Sequence, residues 1–368
     1  MDNPMVIESK HLGDVLEALR AAGYQPVGPA VRDGAIVYDV LNSVGDLPAG
    51  VTDEQGAGSY RLQTRSDGAL FSYTAGAQSW KRFLYPPEEL LCRLKKTGKD
   101  LEVVPRKEEA PPYAFIGVRP CELHAIAILD RVLLQASHDP FYQARRQKAF
   151  LLAMNCTKAG ATCFCTSMKT GPGATFGFDL ALTEMLLERR HFFLVEAGSG
   201  RGAGVLRSVP HRKASDAEAL EGIRLVSEAA EHMGRVLDLS DIQSLLYEAA
   251  EHPHWERAAK RCLACGNCTM VCPTCFCTTV EDTTNIAGNL AERRRRWDSC
   301  FSLDFSYIHG GSVRSSTKAR YRHRVTHKFA TWIEQFGTPG CVGCGRCITW
   351  CPVGLDITEQ IRAVKRER

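Results

Sequence analysis

Two cysteine runs of identical spacing constrain this chain more than any other feature. The first is CLACGNCTMVCP, from Cys262 to Pro273, and the second is CVGCGRCITWCP, from Cys341 to Pro352. Each reads C-x-x-C-x-x-C-x-x-x-C-P, and 67 residues lie between them. Three closely spaced thiolates can wrap one face of a compact inorganic centre, whereas a fourth thiolate, held off by a longer spacer and a proline, is directed to a second centre. The expected ligand sets therefore cross over. One takes Cys262, Cys265 and Cys268 with Cys351; the other takes Cys341, Cys344 and Cys347 with Cys272. Gly266 and Gly345, at equivalent points of the two loops, suit the left-handed turns that bend a backbone around such a centre.

Zinc and disulfides are the competing uses of these thiols. A structural zinc site sums two C-x-x-C knuckles to four ligands, but each run here offers four thiols and a terminal proline. Disulfides belong to oxidising compartments. The opening MDNPMVIESKHLGDVLEALR is acidic and has no apolar signal core, and no later run is long enough to span a bilayer. The expectation is two 4Fe-4S clusters in a cytoplasmic protein with no membrane segment. A zinc-stabilised interaction scaffold is the alternative of a different class.

A second constellation precedes the runs. Of the 16 cysteines in 368 residues, Cys121 follows an apolar run in GVRPCELHA, Cys156 ends another in AMNC, and Cys163 and Cys165 follow in ATCFCTSMKTGPG. Strand ends of an α/β sheet share one rim, so these four are candidates for a third cluster. Pro120 fits the first turn of a helix, where the dipole favours the Cys121 thiolate. His124, one turn on, is a candidate replacement ligand. Burial as small apolar groups is the competing reading for all four thiols. Cys275 and Cys277 repeat the CFC tripeptide and are expected to support a cluster without ligating it, while Cys92 and Cys300 are expected to be packing residues.

Periodicity predicts an N-terminal α/β or α+β domain over residues 1–210, connecting helices over 211–250, and a helical two-cluster ferredoxin domain over 251–368. Strands are expected at GAIVYDVL, GALFSY, YAFIGV, AFLLAM and HFFLVEA. Helices are expected at KHLGDVLEALRAAGY, CELHAIAILDRVLL, DLALTEMLLERR and THKFATWIEQFG. Two further helix starts fit the capping box, at Ser215 with Glu218 and at Ser240 with Gln243. The second of these helices should kink before Pro253.

GSGRGA, from Gly198 to Ala203, matches a dinucleotide fingerprint in letters alone. Pro210 arrives early and no acidic residue stands at the ribose-reading distance, so a glycine-rich loop is expected. A net charge of +4 gives no case for nucleic acid. The basic stretches RRRRW (Arg293–Trp297) and RSSTKARYRHRVTHKF (Arg314–Phe329) instead suggest a folded surface for a protein partner.

Taken together, GVRPCELHAI, NC with CFCTSMKTGPG, RCLACGNCTMVCPTCFC, RRRRWDSCF and RYRHRVTHKF before CVGCGRCITWCPVGLDI resemble the beta subunits of cytosolic NAD(P)-linked nickel-iron hydrogenases, the sulfhydrogenases. The A subunit of anaerobic sulfite reductase shares the architecture. The resemblance implies a non-catalytic electron-transfer subunit working with a flavin/NAD(P)-binding subunit, a small iron-sulfur hydrogenase subunit and a nickel-iron large subunit. In the sulfite reductase alternative, the same relay would feed a sirohaem subunit.

Overall fold

Four parallel strands form the middle of an eight-stranded mixed sheet, and their C-terminal ends set out the first group of cysteines. The computed structural model describes residues 4–106, 111–187 and 190–367. Across the sheet the order is Arg212–Lys213, Met5–Glu8, Arg190–Ala197, Leu180–Leu187, Phe150–Met154, Tyr113–Val118, Gln25–Arg32 and Ala35–Val40. Gln25–Arg32, Tyr113–Val118, Phe150–Met154 and Leu180–Leu187 pair in parallel, with antiparallel strands on both flanks. Phe150–Met154 is buried along its whole length, as a strand covered on both faces must be.

Helices cover both faces. Leu12–Ala21 and Gly200–Arg207 pack on one side over Ile7, Phe193 and Val195. On the other, Pro120–Asp130 and Pro140–Lys148 cover Phe115 and Leu151 together with Trp80 and Tyr85. Leu12–Ala21 ends before Gly23 at φ +85°, as its sequence predicts.

Several expectations need correction. DLALTEMLLERR is not a helix: Leu180–Leu187 is a strand, and Glu188 and Arg189 lie outside the described residues. Its residues are apolar on both faces, which erases the period that separates strand from helix. GALFSY buries Ala69, Leu70, Phe71 and Tyr73 but forms no strand. The amides of Leu70 and Phe71 donate instead to the Glu184 carboxylate at 2.6 and 2.9 Å, and side-chain acceptors thus replace a ladder. Gln25–Arg32 is a further strand, outside the expected set, although Pro26 and Pro29 each remove a donor. GSGRGA is not a loop but opens the helix Gly200–Arg207, whose first turn Ser199 caps by accepting from Gly202 N at 3.1 Å. Ser215 and Glu218 form the full capping box. Ser240 does not, since its hydroxyl donates to Asp238, and Asp241 opens the next helix in a left-handed conformation. Pro253 marks a break rather than a kink, with helices Ile242–Glu248 and His254–Arg261 on either side.

The C-terminal part is not wholly helical. Its helix runs from Thr317 to Phe336 through one π turn, but the preceding stretch makes a hairpin, Thr278–Thr284 with Leu290–Trp297. That hairpin joins Glu88–Thr97 and Asp100–Pro105 in a four-stranded antiparallel sheet. Pairing thus crosses the expected boundaries at 210 and 250. RRRRW lies on its second strand, and its arginines are engaged within the chain. Arg293 pairs with Asp282, Arg294 with Glu88 and Glu292, Arg295 with Asp139, and Arg296 with Glu88 and Glu281. Among the described residues no helix is long and apolar enough to cross a membrane.

Candidate metal centres

Both cysteine runs fold into the same local shape. Gly266 (φ +72°) and Gly345 (φ +75°) are left-handed N-caps of the short helices Asn267–Met270 and Arg346–Thr349. Two residues earlier, Ala264 and Gly343 are also left-handed. That bend turns backbone amides toward sulfur, with Ala264 N 3.4 Å from Cys262 Sγ and Gly343 N 3.4 Å from Cys341 Sγ. Leu355 N donates likewise to Cys351 Sγ at 3.3 Å.

The two runs share their surroundings. One cavity is lined by Cys262, Cys265 and Cys268 from the first run and by Cys351 and Cys347 from the second, closed by Phe301 and Tyr321. In the other group, Cys272 faces Cys344 and Cys347 electrostatically, and Cys341 faces Cys347 and Cys272. The thiols of the two runs thus lie in two neighbouring groups, with Cys347 beside both.

The N-terminal four meet as well. Cys121, Cys156, Cys163 and Cys165 line one cavity with Cys344 of the second run. Cys121 stands in the first turn of Pro120–Asp130, and Cys156 follows the strand Phe150–Met154. The loop carrying Cys163 and Cys165 reaches into the C-terminal half, where Phe164 N donates to Gly343 O at 2.7 Å. Phe164 and Met168 are part of that half's apolar core. His124 is turned away, its ring edge-on to Phe176 at 4.6 Å. A cavity of about 520 Å³ contains no cysteine and touches this one through Lys158 and Ala159.

Burial pushes several of these thiols towards the neutral form. Burial pushes Cys121 well above its ordinary value, outweighing the helix dipole that was expected to favour the thiolate. Burial raises Cys163 to about 12 and Cys268 to about 12. Cys272 goes the other way, lowered by the hydrogen bond from Cys275 and by the Lys328 ammonium.

Buried cations supply the test of fit. Arg324 is 4% exposed, faces Cys268 and Cys347, and leaves Nε and Nη2 without a hydrogen-bond partner. Arg346, 1% exposed, stands between Cys344 and Cys121. Its Nη2 pairs with Glu122 at 2.8 Å and its Nε donates to Gly76 O at 2.9 Å, while Nη1 has no partner. An isolated buried cation costs several kcal/mol. A thiolate-bound iron-sulfur cluster, which is anionic and carries sulfide acceptors, fits those orphaned N–H groups. A single zinc ion does not fit as well. It binds four sulfurs about 2.3 Å from one point and brings no sulfide acceptors for those N–H groups.

Comparison with known proteins agrees with this chemistry. The profile of the 4Fe-4S dicluster domain matches residues 261–355. Over 364 residues the chain is 31% identical to sulfhydrogenase 2 subunit beta of Pyrococcus furiosus, covering 98% of this chain and 97% of the relative. The chain belongs to the sulfhydrogenase beta-subunit family. No solved structure matches it. As a sulfhydrogenase beta-subunit homologue, it joins a mixed α/β domain to a C-terminal 4Fe-4S dicluster domain. The cavity that contains Cys121 borders the dicluster domain through Cys344.

Proposed function

We propose that this chain relays single electrons through a line of 4Fe-4S clusters between a flavin/NAD(P)-binding subunit and the nickel-iron core of a hydrogenase, reached through a small iron-sulfur subunit. Cys262, Cys265, Cys268 and Cys351 hold one cluster, and Cys341, Cys344, Cys347 and Cys272 the next. Cys121, Cys156, Cys163 and Cys165 hold a third. When bound, the clusters supply reversible one-electron chemistry. The protein holds them in register, keeps water from the sulfurs, and balances their charge with Arg324, Lys328 and Arg346.

The observation that carries this reading is the sharing of walls. Cys347 lines the first cavity while belonging to the second set, and Cys344 lines the N-terminal cavity. Neighbouring centres thus stand one side chain apart in a continuous line, an arrangement suited to passing electrons and superfluous for shape alone.

Elemental analysis of the complex, isolated anaerobically with its partners attached, tests the reading. Nickel with abundant iron and hydrogen-dependent NADP reduction are expected. Iron without nickel would transfer the relay to a sirohaem sulfite reductase, and zinc as the principal metal would end the electron-transfer reading. Cys121→Ala should lower iron by about four atoms per chain; an unchanged count removes the N-terminal cluster.

A further inference from the structure

Three cysteines stand outside the sets assigned above yet do not behave as packing residues. Cys275, Cys277 and Cys300 line a single cavity with His327, Arg324 and Lys328. Chain geometry explains how they meet. Cys275 and Cys277 stand two residues apart just before the strand Thr278–Thr284, and both line the cavity. The intervening Phe276 packs edge-on to Trp332 at 5.8 Å. At the base of the hairpin, Asp298 N donates to Cys277 O at 2.9 Å, which brings Cys300 back beside Cys277.

Positive charge surrounds these thiols. Lys81, 3% exposed, donates from Nζ to Cys275 O at 2.9 Å, lies 3.8 Å over the Trp297 ring, and faces Cys275, Cys272 and Cys277. Lys328, 4% exposed, is anchored by Thr274 Oγ1 at 3.0 Å and Gly340 O at 2.8 Å. Arg324 presents Nε and Nη2 with no protein partner. No carboxylate lines this cavity, whose wall holds the Arg324 and Lys328 cations.

We propose that Cys275, Cys277 and Cys300, with His327 as fourth ligand, hold a further 4Fe-4S cluster. His327 is the one other side chain of metal-binding type in the cavity wall. Three thiolates and an imidazole are a ligand set that iron-sulfur chemistry uses, since histidine replaces cysteine in some clusters. The site touches both ferredoxin-type cages, through the Cys272 and Cys275 contact and through Arg324. It is therefore a branch of the relay beneath the four-stranded sheet, and every cysteine of the chain except Cys92 then belongs to a cluster. The proposal rests on the iron-sulfur reading of the chain and is independent of the N-terminal cluster.

The test is iron and sulfide per chain in the anaerobically isolated complex, for wild type, Cys277→Ser, Cys300→Ser, Cys156→Ser and Cys92→Ser. Cys277→Ser and Cys300→Ser should each lose about four iron and four sulfide, Cys92→Ser none, and Cys156→Ser with Cys277→Ser about eight. Wild-type protein provides a measurement free of folding defects: pulsed EPR of the reduced complex should show a strongly coupled nitrogen that disappears in His327→Cys while the iron count stays constant. Unchanged iron in Cys277→Ser and Cys300→Ser, with Cys347→Ser still losing a cluster, overturns this site alone. Iron absent throughout would instead overturn the proposed function. A nitrogen coupling that persists in His327→Cys overturns the histidine ligand.

Discussion

At the residue scale, the buried cations connect sequence to redox chemistry. RYRHRVTHKF reads as a basic surface, yet Arg324 and Lys328 face inward because the helix from Thr317 to Phe336 turns one side of itself to the cages. A charge roughly 8 Å from a cluster at an effective dielectric of about 20 is worth about 2 kcal/mol, or about 90 mV for a one-electron couple. Arg324→Gln should therefore make the adjacent cluster potentials more negative by about that amount, read by EPR-monitored titration. Unshifted potentials would show that Arg324 is there for packing. The cysteines themselves were legible from spacing. That RRRRW is consumed by Asp139, Glu88, Glu281, Glu292 and Asp282 was not, because those acids come from four separate places in the chain.

At the element scale, loops hold the centres together. Gly343 is left-handed (φ +66°), and a Cβ there would lie 2.5 Å from Phe164 O. Gly343→Ala should cost about 2 kcal/mol or more, because strain adds to a backbone clash. Gly337→Ala, at φ +67° with open space around it, should cost only the conformational strain, about 1 kcal/mol. Equal losses in thermal denaturation would show that the loop contact yields easily. The helix Asp216–Glu231 offers a pH test. The hydrogen bond from Arg212 holds the Glu218 carboxyl well below the usual range. Its stabilisation is complete above the unfolded value of about 4.3 and is lost only as pH falls below it towards the lower folded value. Glu218→Gln should thus show a constant deficit from about pH 8 to about pH 6, with amide exchange faster in the first turn; a deficit that varies over that range would exclude this origin.

At the scale of the whole molecule, the hairpin between the cysteine runs ties the two halves into one cooperative structure. Arg295 pairs with Asp139, lies 4.1 Å from the Tyr85 ring centroid, and is nearly buried. Asp139 also caps Pro140–Lys148 by accepting from Tyr142 N at 2.9 Å. Arg295→Ala should cost about 3 kcal/mol by leaving that carboxylate unpaired, and both halves should lose stability together in denaturant; separate transitions would mean that the halves fold independently. Sequence alone determined the turn geometry around Gly266 and Gly345, the helix starts at Pro120 and Ser215, and the pairing of Cys351 with the first run's thiols in one cavity. These follow from local spacing and backbone preference, which any short stretch carries within itself. Tertiary structure decided that DLALTEML is a strand, that Cys344 lines the N-terminal cavity, and that Cys300 stands with Cys275 and Cys277. Each of these depends on which distant segment provides the burial or the partner, and no local pattern encodes that choice.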